Sequence, residues 1–140
     1  MSQELMNFGL QRRTDLALSA LRCLTRDGAP IPGPRLAESI GTTTSFLPQV
    51  MSPLIRAGWV TSERGPGGGY RLTEQSGTVT LLDVVEATEG PAETGRCVLR
   101  DAPCPGDPVC AVHAVWTQAR HVLVEGFRTI PAVSTQGGPR

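Results

Sequence analysis

The sequence predicts a mainly α-helical fold with one small β-hairpin, arranged as a winged helix-turn-helix. Two short helical segments, 34–40 and 45–57, are joined by a tight turn at Gly41, which is the helix-turn-helix pattern. Two short runs of strand-forming residues follow at 59–62 and 70–73, and they flank a glycine-rich tip. This arrangement is typical of a hairpin whose loop needs the backbone freedom of glycine.

The other elements before residue 90 follow from helical periodicity and capping residues. Residues 10–26 predict a first helix that ends at the Asp-Gly pair at 27–28. Its apolar face consists of Leu10, Leu16, Ala17, Ala20, Leu21 and Leu24. The tract TTTS at 42–45 supplies the N-cap of the third helix. Residues 79–89 predict a short amphipathic helix with Thr80 as its cap.

The C-terminal part of the chain has a different composition. Residues 91–110 are rich in Pro, Gly and Cys and predict a loop. From Ala111 onward, helical spacing returns and predicts a long dimerisation helix, since few partners remain inside so small a domain. Its apolar stripe is Val112, Val115, Trp116, Ala119, Val122 and Leu123. We therefore expect a winged helix-turn-helix domain over 1–90, and over 91–140 the loop, the dimerisation helix and a flexible tail, with disorder from 131–140.

Bulk properties narrow the class of protein. The chain has 140 residues and a net charge of +0, and all 13 of its Lys and Arg residues are arginines. A zero net charge does not exclude a nucleic-acid partner, because one face can be basic while the rest is acidic. No stretch approaches the roughly 20 apolar residues of a membrane span, and the N-terminus lacks the apolar run of a signal peptide. We therefore expect a cytoplasmic protein without a membrane partner.

Three of the four cysteines, Cys97, Cys104 and Cys110, lie in or next to the predicted loop. Clustered cysteines in a cytosolic chain more often bind metal or do redox work than form disulfides. A loop rich in Pro and Gly lets three thiolates converge on one iron–sulfur cluster, and the spacing lacks the paired CxxC of zinc ribbons. Spacing alone leaves three alternatives open: an iron–sulfur cluster, a structural zinc site, and reactive thiols.

A fourth ligand has two candidates. His113 follows Cys110 by three residues, so both can lie on one face of the first turn of the terminal helix. Asp15 lies in the first helix and would reach the loop from a partner subunit. Each also has an ordinary structural explanation, His113 as a solvent-facing helix residue and Asp15 as an acid favoured near a helix start. Cys23, beside apolar residues of the first helix, is expected to be a packing residue.

The glycine-rich hairpin indicates contact with nucleic acid and not catalysis. Arg64 and Arg71 bracket its tip, where guanidinium groups can reach phosphates or a minor groove. The tip sequence GPGGG fits neither GxxxxGK[ST] nor GxGxxG. The sequence has two histidines, His113 and His121, and no Ser-His-Asp or Cys-His catalytic grouping is apparent in it. We therefore expect no enzymatic activity.

Three stretches of the chain are similar to one known family. RRTDLALSAL at 12–21 resembles the family's first helix, and SFLPQVMSPLIRAGWVTSERGPGGGYRLT at 45–73 resembles its recognition helix and wing. TLLDVVEATEG at 80–90, followed by three spaced cysteines, resembles its linker and cluster loop. On these residues, of which RGPGGGY is the most distinctive string, the chain resembles the NsrR/IscR group of iron–sulfur winged-helix transcription regulators.

The resemblance implies a homodimer that binds palindromic operators in double-stranded DNA and represses transcription. It implies an iron–sulfur cluster on the three loop cysteines, [4Fe-4S] with [2Fe-2S] as the alternative, which gates DNA binding. The TDLAL string and the CP pair resemble the nitric-oxide-sensing NsrR branch, which implies Asp15 of the partner subunit as fourth ligand and nitric oxide or redox stress as signal. A histidine matching His113 implies instead a regulator of iron–sulfur supply of the IscR type.

The predicted DNA contacts lie on the third helix, the turn before it and the wing. They are Thr43, Thr44, Ser45, Gln49, Arg56, Arg64 and Arg71, of which Ser45, Gln49 and Arg64 match DNA-contacting positions of the family. Pro48 stands where the family has a base-reading glutamate. Pro53, in the helix interior, would cost about 3 kcal/mol without compensation. A different class therefore stays open: a zinc-bound or metal-free interaction module with degenerate DNA binding.

Overall fold

The computed structural model describes residues 9–97, 99, 102–103 and 110–133. The regular structure of this part of the chain is five α-helices, one two-stranded antiparallel sheet and one 3₁₀ helix, which confirms the predicted mainly α-helical fold with a small hairpin. In chain order the elements are α1 (Arg12–Asp27), α2 (Gly33–Ile40), α3 (Leu47–Arg56), β1 (Val60–Glu63), β2 (Gly69–Leu72), the 3₁₀ helix (Glu74–Thr78), α4 (Leu81–Glu89) and α5 (His113–Thr129). Among the described residues, no helix combines the length and apolarity needed to cross a membrane.

Helix α1 lies at the centre of the core and contacts α2, α3 and α4. Its buried face follows the predicted periodicity, with Leu16, Ala17, Ala20, Leu21 and Leu24 at most 2% exposed. Gly28, at φ 69°, ends the helix by donating its N–H to the Leu24 carbonyl at 3.2 Å. Leu10 is an error in the predicted face: it is 43% exposed, because it precedes the helix, which begins at Arg12.

Helices α2 and α3 form the predicted helix-turn-helix. Pro34 lies in the first turn of α2, and Gly41, at φ 82°, ends that helix. Helix α3 begins at Leu47, two residues later than predicted. The reason is a preceding turn stabilised by Thr43, whose carbonyl and hydroxyl oxygens accept the Phe46 N–H at 3.2 and 3.1 Å. The cap supplied by the TTTS tract therefore serves this turn.

Helix α3 continues through Pro53 without a break. The proline nitrogen cannot donate to the carbonyl of Gln49, four residues earlier. The Pro53 ring is buried on the same side of α3 as Val50 and Leu54, so contacts with the core offset part of this cost. Pro48 lies in the first turn, where backbone N–H groups have no acceptor within the helix.

The wing is the antiparallel pair β1 and β2, with Glu63 opposite Gly69. Both strands are shifted by one residue toward the tip relative to the predicted runs. Tyr70 exchanges two backbone hydrogen bonds of 2.9 Å with Ile31, which joins the wing to the segment before α2. Gly69 permits this close approach: its φ is 140°, and a Cβ there would lie 2.3 Å from the Ile31 carbonyl oxygen.

Helix α4 begins with a capping box. The Thr80 hydroxyl accepts the Asp83 N–H at 3.2 Å, and the Asp83 carboxylate accepts the Thr80 N–H at 2.9 Å. Thr80 is therefore the N-cap, as predicted. The 3₁₀ helix between β2 and α4 was not predicted; Ser76 is buried there and its hydroxyl donates to the Thr73 carbonyl at 2.8 Å.

The end of the described chain packs against the start of α4. Ala132 is 5% exposed, and its N–H donates to the Val79 carbonyl at 2.9 Å. The prediction of disorder is therefore wrong for 131–133, because an apolar side chain and a backbone hydrogen bond hold this segment against the core. The rest of the predicted tail, 134–140, lies outside the described residues.

Candidate metal centre and nucleic-acid interface

The structure brings two of the predicted cluster ligands together. The sulfur atoms of Cys97 and Cys110 lie 3.8 Å apart, and Cys97 is 6% exposed. The N–H of Cys97 donates to the Ala102 carbonyl at 2.8 Å, which holds the loop closed beside it. Cys110 lies just before α5, and its carbonyl accepts the His113 N–H at 3.1 Å. Both thiols are therefore positioned by backbone hydrogen bonds.

A cleft of ≈ 200 Å³ opens in front of these thiols. It is lined by Glu93, Gly95, Arg96, Cys97, Cys110, His113, Trp116, Thr117 and Arg120. Glu93 and Arg120 form an ion pair of 3.1 Å on its wall, and the Arg120 side chain is 20% exposed. Because that carboxylate is paired with a guanidinium, the two thiols and the imidazole of His113 are the metal-binding groups that face the cleft among the described residues.

The other two predicted ligands are not brought to this cleft. Cys104 lies outside the described residues, and no group of three His, Cys, Asp or Glu side chains suited to a metal ion exists within the described ranges. Asp15 lies in the first turn of α1 and does not line the cleft of its own subunit. Its predicted role as a ligand from the partner subunit stays a prediction.

The predicted DNA-contacting residues of the helix-turn-helix lie on an exposed surface. Thr43, Thr44, Ser45, Gln49 and Arg56 are all exposed. The hydroxyl of Thr43 is already engaged in the turn before α3 and lies 3.2 Å from the Ser45 hydroxyl. The structure thus leaves Thr44, Gln49 and Arg56 as the side chains of this surface without such a role.

A second cleft, of ≈ 400 Å³, lies between α1 and α3. It is lined by Arg13, Pro48, Gln49, Ser52, Pro53 and Arg56. Arg13, in the first turn of α1, was not predicted as a site residue. The sequence signal was a second arginine beside Arg12, but only the packing of α1 against α3 shows which of the two faces the recognition surface.

The two wing arginines differ in their surroundings. Arg64 is exposed at the tip. Arg71 lies on β2, and its guanidinium is 3.8 Å from the Glu63 carboxylate, with both side chains about half exposed (51% and 54%). An ion pair this long and this exposed contributes little and is screened by salt, so Arg71 can exchange it for a phosphate at small cost.

A buried polar network at the start of α1 was also not predicted. The hydroxyl of Thr14, which is 0% exposed, lies 2.7 Å from the Thr88 hydroxyl and donates to the Glu89 carboxylate. The same carboxylate accepts the Gln11 N–H at 2.9 Å. The available signal was a threonine within the apolar stripe of α1, four residues after Leu10 and three before Ala17. This network joins the start of α1 to the end of α4.

A helix-turn-helix with an exposed second helix, followed by a β-hairpin, is the fold of winged-helix transcriptional regulators. Residues 10–130 match the model of the Rrf2 family, described as iron-dependent transcriptional regulators. The chain therefore belongs to the Rrf2 family. Because the relatives it matches are transcriptional regulators, it belongs to a family of regulators and not of enzymes, as predicted.

Curated relatives include the HTH-type transcriptional regulators IscR of Citrobacter koseri and of Salmonella paratyphi B. Each is 34% identical over 93 residues, which is 66% of this chain and 56% of the relative. The chain thus matches little more than half the length of these relatives.

Solved structures with the same fold include CymR, the global cysteine regulator of B. subtilis. It has a TM-score of 0.70 and 22% identity and covers 90% of this chain and 94% of its own. The T. potens IscR structure has a TM-score of 0.67 and 22% identity, with coverage of 91% and 85%. At these identities the likeness concerns the fold, and it confirms the winged helix.

Proposed function

We propose that this chain is a homodimeric, DNA-binding transcriptional repressor whose operator binding is gated by an iron–sulfur cluster that responds to nitric oxide or redox stress. The proposed ligands are Cys97, Cys104 and Cys110, with Asp15 of the partner subunit as the fourth. The main supporting observation is the pair of thiols 3.8 Å apart, facing one cleft directly before α5. In this proposal residues 1–90 bind DNA and residues 91–140 hold the cluster and the dimer contact.

The donor set of the cleft fits an iron–sulfur centre. Two thiols face the cleft, the nearby carboxylate is paired with Arg120, and the family is described as iron-dependent. When bound, such a centre supplies iron sites that react with nitric oxide and oxidants. The residues of this chain would hold it through thiolates, and the closed loop around Cys97 would limit access of water to one side.

The route from the cleft to the DNA-binding surface is a chain of packed helices. The cysteine segment connects α4 to α5, α5 contacts α4, α4 contacts α1, and α1 contacts α3. Gating requires that the two states of the cleft stabilise different arrangements of α3. We propose that loss of the ligand contacts in the loop displaces α5 and thereby changes the spacing of the two α3 helices in the dimer.

Absorbance of protein purified without oxygen, together with iron and sulfide assays, tests this proposal most directly. We expect a brown protein whose visible band bleaches when nitric oxide is added, and Cys104→Ala should lose the band while Cys23→Ala keeps it. A visible spectrum unchanged in Cys104→Ala would refute the ligand assignment. A colourless protein that contains zinc would refute the cluster while leaving the winged helix intact.

One observation favours a second candidate for the signal. His113 lines the same cleft as Cys97 and Cys110, whereas Asp15 does not within one subunit. A histidine ligand would fit a regulator of iron–sulfur supply, as in relatives named IscR. We expect Asp15→Ala to lower cluster yield and shift the spectrum if the first candidate holds; if His113→Ala does so instead, the signal is iron–sulfur supply.

The sulfur spacing bears on the size of the cluster. Two sulfurs on one tetrahedral metal with bonds of about 2.3 Å lie about 3.8 Å apart, which matches the 3.8 Å between Cys97 and Cys110. Four cysteines on a [2Fe-2S] cluster place two on each iron, whereas four on a [4Fe-4S] cluster place one on each. The resemblance favours [4Fe-4S] and this distance favours [2Fe-2S]; the ratio of iron to protein decides between them.

The alternative of another class, an interaction module without DNA binding, makes an opposite prediction. We expect the cluster-loaded protein to select a duplex from a random-sequence pool and to bind it more tightly than a scrambled duplex. Failure to enrich any duplex, across a range of salt concentrations, would favour the module.

A further inference from the structure

The cleft between α1 and α3 has an unusual combination of side chains. Its polar lining consists of Arg13 and Arg56 with Gln49 and Ser52 between them, and its remaining lining residues are two prolines. No acidic side chain lines it. Such a lining offers hydrogen-bond donors and positive charge without a competing carboxylate, which suits an anion.

Arg13 and Arg56 are also exceptional in having no internal partner. Arg71, Arg120 and Arg128 each form an ion pair with a glutamate. Arg13 and Arg56 are exposed, and within the part of the chain that the structure describes neither forms an ion pair or a hydrogen bond. In a chain with a net charge of +0, two unpaired guanidinium groups at one cleft create a local positive field.

The two prolines limit what this face of α3 can recognise. Pro48 and Pro53 have neither a side-chain hydrogen-bonding group nor a backbone N–H. Gln49 is therefore the side chain of the cleft best suited to read a base edge, and much of the affinity has to come from the sugar-phosphate backbone. Phosphates are the natural partners of exposed arginines beside a recognition helix.

We propose that Arg13 and Arg56 bind phosphates of the DNA backbone on the two sides of α3, and that they compensate for the loss of base contacts at the two proline positions. This inference rests on the proposed DNA binding but not on the cluster. It assigns to α1 a direct role in holding the operator. It also implies that sequence discrimination by this surface depends chiefly on Gln49.

The test compares Arg13→Gln and Arg56→Gln with wild type in binding to the selected duplex and to a scrambled duplex, over a range of salt. Each lost phosphate contact lowers the slope of log affinity against log salt by about 0.9, so each variant should lower it by about 1.8 in a dimer. Affinity for the two duplexes should fall by the same factor. Gln49→Ala should instead reduce the preference for the selected duplex.

Arg26→Gln is the matched control, because it removes the same charge from the opposite end of α1, where the guanidinium lies 3.9 Å from the Cys23 sulfur. Its salt slope should equal that of wild type. An unchanged slope in Arg13→Gln and Arg56→Gln, or the same decrease in Arg26→Gln, overturns the phosphate assignment. Wild-type protein that binds no duplex refutes the proposed function itself, and binding that ignores the cluster refutes only the gating.

Discussion

Thr14 connects the start of α1 to the end of α4 through one hydroxyl group. That hydroxyl contacts Thr88 and donates to Glu89, and the Glu89 carboxylate also accepts the Gln11 N–H at the start of α1. A carboxylate at a helix N-terminus is favoured by the helix dipole. The next residue, Asp15, is the proposed ligand for the partner subunit, so this network also determines where that carboxylate is presented.

Replacement of Thr14 by valine should destabilise the protein by about 1–3 kcal/mol, because it removes a buried hydroxyl and leaves its partners without a hydrogen bond. The measurement is the urea midpoint of unfolding at constant m-value. Thr25→Val is the control, since the Thr25 hydroxyl only bonds to the Leu21 carbonyl of its own helix and should change the midpoint much less. Equal shifts in both variants would contradict a special role for Thr14.

At the scale of the elements, α3 shows what a helix tolerates when its buried face packs well. Pro48 and Pro53 differ in position: the first lies in the initial turn and is exposed, the second is interior and buried. Sequence patterns predicted the existence of this helix and its neighbours, since periodicity and the glycines at 28 and 41 determine them locally. They did not predict its start, because the turn formed by Thr43 uses the same residue types as a helix cap.

The two prolines should respond to alanine with opposite signs. In Pro53→Ala, recovery of about 3 kcal/mol exceeds the loss of about 1.6 kcal/mol for two buried methylene groups and about 0.5 kcal/mol of unfolded-state entropy, so stability should rise by about 1 kcal/mol. Pro48→Ala should lower stability by about 0.4–1 kcal/mol, because only the unfolded-state entropy changes. Thermal and urea unfolding of both variants provide the measurement; a decrease in both would contradict this account.

At the scale of the whole molecule, α5 is the element that the monomer leaves uncovered. It has no buried residue, and Val115, Val122 and Leu123 are 71%, 65% and 52% exposed. The opposite side of α5 contacts α4. Burial of an apolar stripe this exposed against a second copy would be favourable, and this supports the predicted role of α5 in a homodimer.

Leu123→Glu should therefore convert the dimer to a monomer, because it places a charge in the proposed interface. Light scattering coupled to size-exclusion chromatography measures the mass directly. His121→Glu is the control, since His121 is exposed on another side of the same helix and should leave the mass unchanged. A Leu123→Glu protein with the wild-type mass would exclude this face as the contact.

The sequence was a good guide where structure depends on neighbours along the chain and a poor one where it depends on distant pairs. Local spacing predicted the apolar face of α1 and the proximity of Cys97 to Cys110 in one loop. The bond from Thr14 to Thr88 joins residues 74 positions apart, and no local pattern specifies it. The pairing of Ile31 with Tyr70 and the packing of Ala132 were missed for the same reason.

The contact of Ala132 with Val79 has a mechanical consequence for α5. The C-terminal end of that helix is followed at once by a segment held against α4 by the Ala132 hydrogen bond and by pairing of Thr80 with Pro131, while its other end starts beside Cys110. With 17 residues, α5 is a lever of about 25 Å with its pivot at the C-terminal end. A tilt of about 10° about this pivot moves the cysteine end by about 4 Å, so small rearrangements at the thiols and large changes in subunit geometry are the two ends of one rigid rod.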